Sequence, residues 1–101
     1  MEKFTKFIIE DGNLILGRVV YHKDLITDKS LVKGGGWFRF NLDKKECLLG
    51  GESFDLGRAS MEDIKRAIVE GNVYTNKMCT YSIAGDFVFL YDRGSEIVRL
   101  N

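Results

Sequence analysis

The chain has 101 residues, with fifteen basic and fifteen acidic side chains and a formal net charge of +0. That length suits one domain burying roughly 65% of the surface its unfolded form exposes, enough for a core without a structural metal or disulfides. The charge balance, with no Lys/Arg block longer than two residues, excludes the footprint of a duplex-binding protein, and a near-neutral surface leaves self-association open.

The opening stretch MEKFTKFIIEDG has an apolar run too short for a signal-peptide core. No other segment approaches the ~20 apolar residues of a membrane span. The expectation is a soluble, cytoplasmic protein with no membrane and no nucleic-acid partner. Cys47 and Cys79 are far apart and lack a Cys-x-x-Cys arrangement, so they read as two reduced thiols in or near the core, and no metal or other cofactor is expected. There is no Pro, low-complexity tract or internal repeat, and residues 1–101 read as a single domain.

In chain order, FTKFIIE (4–10) and LILGRVVYH (14–22) are rich in β-branched and aromatic residues and flank Asp11-Gly12, which predicts a tight hairpin. KDLITDKSLVK follows the helical period only in part, and a second helix there remains an open alternative. GWFRFNL (36–42) alternates Trp37, Arg39 and Asn41 against Phe38, Phe40 and Leu42, and DKKE turns it into ECLLGGE, a second hairpin. SMEDIKRAIVEG carries a helix signature. Ser60 caps, Asp63 sits three residues on, Met61, Ile64, Ala67 and Ile68 make an apolar stripe, and Gly71 suits a left-handed stop. VYTNKMCTYSI, DFVFLYD and EIVRL, separated by AGD and RGS, read as an antiparallel meander. The predicted class is α+β, a single-layer mixed, mostly antiparallel sheet of six to seven strands with one or two flanking helices.

Three stretches raise chemistry. Gly34, Gly35 and Gly36 can bring backbone amides close to an anion, although no Gly-Lys-Ser/Thr follows and the triplet also reads as a flexible lead into a strand. LGGESFDLGRAS has Gly50, Gly51, Ser53 and Gly57 where an oxyanion or phosphate nest would need them, and equally reads as an ordinary strand-to-helix loop. His22, the single histidine, titrates near ~6.5 unperturbed and suits a base or nucleophile, with Asp24 or Asp28 as an orienting partner; taken alone it is incidental. The remaining acids read as turn, loop and helix-surface residues.

In this order YHKDL, GGGWFRFNLDKKECLLGGESFDLG and SMEDIKRAI resemble the Janus/Ocnus family of small phosphohistidine phosphatases over roughly residues 6–70. The resemblance implies a phosphohistidine phosphatase-like fold and a metal-independent hydrolysis of a phosphoramidate. It makes His22 the catalytic histidine, as a base for water or as nucleophile, with Tyr21 beside it. It makes Lys6 the cation that neutralises phosphate charge. The amides and hydroxyl around Ser53, Phe54 and Asp55 would hold phosphoryl oxygens, and Gly57 would supply the bend. This chain departs from the family in Asp55, where the family has a small neutral residue, and in the short segment after His22.

The implied partner is a phosphorylated protein or a small phosphoramidate. The alternative is a non-catalytic protein- or ligand-binding module on the same scaffold, meeting its partner through aromatics such as Tyr21, Trp37, Phe38, Phe54, Tyr74 and Tyr81. A third reading is a self-associating protein, a homodimer joined through the edge strand EIVRL.

Overall fold

The computed structural model describes residues 4–75 and 87–101. Within them seven strands form one mixed sheet: β1 (Phe4–Glu10), β2 (Asn13–Val19), β3 (Val32–Asn41), β4 (Glu46–Gly50), β5 (Val73–Thr75), β6 (Val88–Asp92) and β7 (Ile97–Arg99). Their spatial order is β5-β2-β1-β3-β4-β6-β7. The pairs β2–β5 and β4–β6 are parallel and the other four antiparallel. The sheet curls into a half-barrel, and α1 (Met61–Val69) packs on it, giving an α+β fold.

The β1–β2 hairpin turns where Asp11 (φ 51°) and Gly12 (φ 75°) both take positive φ, which matches the twist of the flanking strands. The alternation of β3 is realised. Phe38 is buried, Phe40 stacks edge-on against it at 5.1 Å, and Trp37 and Arg39 occupy the opposite face. Ser60 Oγ accepts from the Asp63 amide at 3.1 Å, closing the first turn of α1, a cap worth about 1 kcal/mol. Ile64, Ala67 and Ile68 join Phe7, Ile9, Leu14, Leu16, Leu49 and Phe89 in one apolar cluster, where each fully buried large side chain contributes about 1.5–3 kcal/mol. Cys47 belongs to that cluster, and burial pushes its thiol up to about 12; Cys79 lies outside the described residues.

Four expectations are corrected. β2 ends at Val19, so Tyr21 and His22 leave the strand. KDLITDKSLVK forms two 3-10 turns, His22–Leu25 and Lys29–Leu31, instead of a helix. The β-branched Ile26 and Thr27 weaken a helix there, and the residues between the turns are extended, with Ile26 at φ −80°, ψ 131°. Gly71 does not take a left-handed conformation; it is small because a Cβ would stand 2.2 Å from the Gly12 carbonyl oxygen, where the helix end packs on the first hairpin. The C-terminal strands are not a meander: β5 pairs beside β2 at one edge of the sheet, while β6 and β7 form the other. Residues 76–83 of the expected VYTNKMCTYSI strand lie outside the described residues. Among the described residues no helix is long and apolar enough to cross a membrane.

Candidate functional site

The glycine triplet lies inside β3, fully buried, and is not a flexible lead into it. A Cβ on Gly34 (φ +120°) would come within 2.7 Å of the Ala59 nitrogen. On Gly35 it would meet the Phe7 carbonyl oxygen at 2.6 Å and His22 Cδ2 at 3.0 Å, and on Gly36 the Gly50 carbonyl oxygen at 2.2 Å. The triplet thus lets three things approach the strand at once: the 57–59 backbone, the imidazole of His22 and the end of β4.

His22 opens the first 3-10 turn and lies half-buried over Gly35. Its Nε2 sits 2.8 Å from the Gly36 carbonyl oxygen. A carbonyl only accepts, so Nε2 carries the proton and donates, which leaves the Nδ1 lone pair free in the neutral ring. Burial lowers the imidazole below its ordinary value of 6.5; the Gly36 bond opposes that, the charge of Lys6 adds to it, and the charge of Asp55 opposes it. His22 is therefore neutral at pH 7 and stands within electrostatic reach of one cation and one anion contributed by separate elements.

Lys6 reaches the site from β1, where it pairs with Trp37 and Gly17 across the strands. Asp55 reaches it from a tight turn in which Ser53 and Gly57 exchange backbone hydrogen bonds at 3.2 and 2.9 Å. Ser53 is buried, and its hydroxyl accepts from the Leu56 amide at 3.2 Å. That hydroxyl holds the turn, and Gly57 (φ +78°) supplies the bend. The amides of Phe54 and Asp55 meet no acceptor among the described residues. The Phe54 ring is wholly exposed, and Tyr21, beside His22, is half-exposed with the Lys23 ammonium 5.1 Å from its ring centroid. The structure thus brings Lys6, His22 and Asp55 together, with Tyr21 and Phe54 flanking. Asp24 and Asp28 do not orient the imidazole; Asp28 caps the second 3-10 turn by accepting from Ser30 N.

Three contributors escaped the sequence reading. Glu10, taken for a turn acid, is 6% exposed, and its Oε2 accepts from the amides of Thr27 (2.7 Å) and Asp28 (2.9 Å), tying the segment that carries His22 to β1. The Gly36 carbonyl fixes the tautomer. Arg58 adjoins the site through its backbone bridge to Gly35. For Glu10 the only signal was a carboxylate directly after the apolar run of Phe7, Ile8 and Ile9. No protein-family model, curated protein or solved structure matches the chain.

Proposed function

We propose that the chain is a phosphohistidine phosphatase-like domain that hydrolyses a phosphoramidate, with His22 as the reacting group. The observation that carries this reading is an imidazole whose Nε2 donates to Gly36 and whose Nδ1 meets no partner among the described residues, within electrostatic reach of Lys6 and Asp55. As a base, Nδ1 takes a proton from the attacking water and returns it to the leaving nitrogen as the P–N bond breaks; as a nucleophile, it bonds to phosphorus while that bond breaks and the leaving nitrogen takes a proton from solvent, and water then cleaves the new N–P bond to release phosphate and the free imidazole. Lys6 and the amides of Phe54 and Asp55 face the phosphoryl oxygens, a stabilisation made of fixed charges and dipoles. Asp55 supports the positive charge that grows on the imidazole. Its carboxylate also opposes the phosphoryl group, by about 1 to 4 kcal/mol per unit charge at ~4 Å, which Lys6 offsets. The seven-stranded curled sheet with one helix serves in this reading as a shortened form of the phosphohistidine phosphatase scaffold.

A second reading, a binding module that has lost phosphate chemistry, is favoured by the wholly exposed Phe54 at the tip of the turn. Turnover of phosphohistidine by the wild type, His22→Ala and Asp55→Ala separates the two. Loss of about 10²- to 10⁴-fold in His22→Ala, with thermal unfolding still cooperative, is the expected result. Equal turnover in wild type and His22→Ala overturns catalysis by His22. Activity appearing only in Asp55→Ala assigns the chain to the second reading.

A further inference from the structure

A cleft of about 180 Å³ is lined by Trp37, Gly51, Arg58, Asp92, Arg93 and Gly94. Gly50 and Gly51 bear no side chain because the indole of Trp37 occupies that space: a Cβ on Gly51 would stand 2.3 Å from its Nε1. The Arg39 guanidinium carbon lies over the Trp37 ring, 5.6 Å from its centroid. The ring is thereby fixed as the wall of the cleft.

The charges around this wall are unequal. Asp92 accepts from the Gly94 amide at 2.8 Å and still counts as an anion, so the lining of two arginines and one aspartate carries a formal charge of one positive unit. Arg93 pairs with Glu96 at 3.3 Å, with both side chains exposed, and such a pair is weak and readily exchanged for a ligand carboxylate. Arg58 is exposed and makes no hydrogen bond or ion pair among the described residues. A guanidinium of this kind, beside a fixed indole, is a bidentate receptor for a carboxylate.

We propose that this cleft binds an acidic side chain of a polypeptide substrate, next to the residue whose phosphoryl group enters the His22 site. The register sets the spacing. His22 lies over Gly35 and Trp37 is two residues along the same strand, so the His22 site and the indole wall are on the order of 7 Å apart, about two residues of extended peptide. The exposed rings of Tyr21 and Phe54 at the mouth of the His22 site suit a macromolecular ligand better than a small one. The position of the cleft relative to the reacting group rests on the function proposed above; its charge and shape do not.

Trp37 is the only tryptophan of the chain, so its emission and indole N–H resonance report the cleft directly, without any turnover. The titrants are a short Asp/Glu-rich peptide lacking tryptophan and phosphate, and its Asn/Gln counterpart. Saturable change with the acidic peptide alone is expected, weakened by salt and about tenfold weaker in Arg58→Glu, a change of ~1.4 kcal/mol. Equal response to both peptides, no saturable response, or an unchanged affinity in Arg58→Glu overturns the proposal. With phosphohistidine substrates, Arg58→Glu is expected to raise KM about tenfold more for an acidic phosphohistidine peptide than for the free amino acid. If neither substrate is hydrolysed by the wild type, the phosphatase reading fails while the Trp37 titration still decides the cleft.

Discussion

The two faces of β3 are built on opposite rules. On one, Phe38 lies buried in the cluster with α1, and stability comes from filled volume. On the other, Gly35 is bare so that His22 can lie against the strand, Trp37 and Arg39 stack in the open, and a segment of main chain is held down by the Glu10 carboxylate. One face is closed by a helix that buries an apolar stripe, the other by two 3-10 turns with little apolar surface of their own, Leu25 being their only buried side chain. The core face is sensitive to what is removed. The site face is sensitive to where its groups are placed.

The sharpest way to expose that contrast is to empty the core and then untie the other face. Phe89→Ala removes a ring on β6 that is 0% exposed and is expected to cost about 3–5 kcal/mol by urea denaturation, a large share of the roughly 5–15 kcal/mol available to a domain. A cost below about 1 kcal/mol would mean that the core face is not closed by packing. Glu10→Ala leaves two main-chain amides without their acceptor and is expected to cost about 1–3 kcal/mol. The distinguishing readout is local: hydrogen exchange should accelerate at Thr27 and Asp28 while the amides of α1 stay protected. If exchange accelerated equally everywhere, Glu10 would be an ordinary core residue, and the two faces would not be held independently.

What the sequence disclosed follows the same division. The hairpin at Asp11-Gly12, the Ser60 cap and the alternation of Trp37, Phe38, Arg39 and Phe40 were legible because each is a local signal, carried by a φ preference, a side-chain acceptor or a two-residue period. The parallel pairing of β5 with β2 was not, since it joins segments separated by most of the chain and no local period encodes it. Glu10 was misread for a related reason: its partners are backbone amides, and these carry no residue identity. Lys6, His22 and Asp55 are each unremarkable in composition, and only a resemblance to an ordered family pattern grouped them before their charges were seen to act on one imidazole. The triple glycine was noticed but misinterpreted, because flexibility and close approach demand the same residue.

The smallest expected effect tests the site face most directly. Burial lowers the pKa of His22 in the folded chain, so between the lowered value and the unfolded value of ~6.5 the unfolded chain holds more protons than the folded one. Stability therefore rises with pH in that window: the contribution of His22 is complete above ~6.5 and is lost as pH falls through the folded value. Carboxylates titrate in the lower part of the same range, so the informative quantity is the difference between wild type and His22→Ala. From about pH 7.5 to 5.5 the urea midpoint of the wild type should fall more steeply than that of the variant, and the acid limb of turnover should lie below ~6.5. Parallel midpoints would place the imidazole in solvent. They would also remove the fixed tautomer, with its lone pair on Nδ1, on which the proposed chemistry depends, while leaving the core face and its packing untouched.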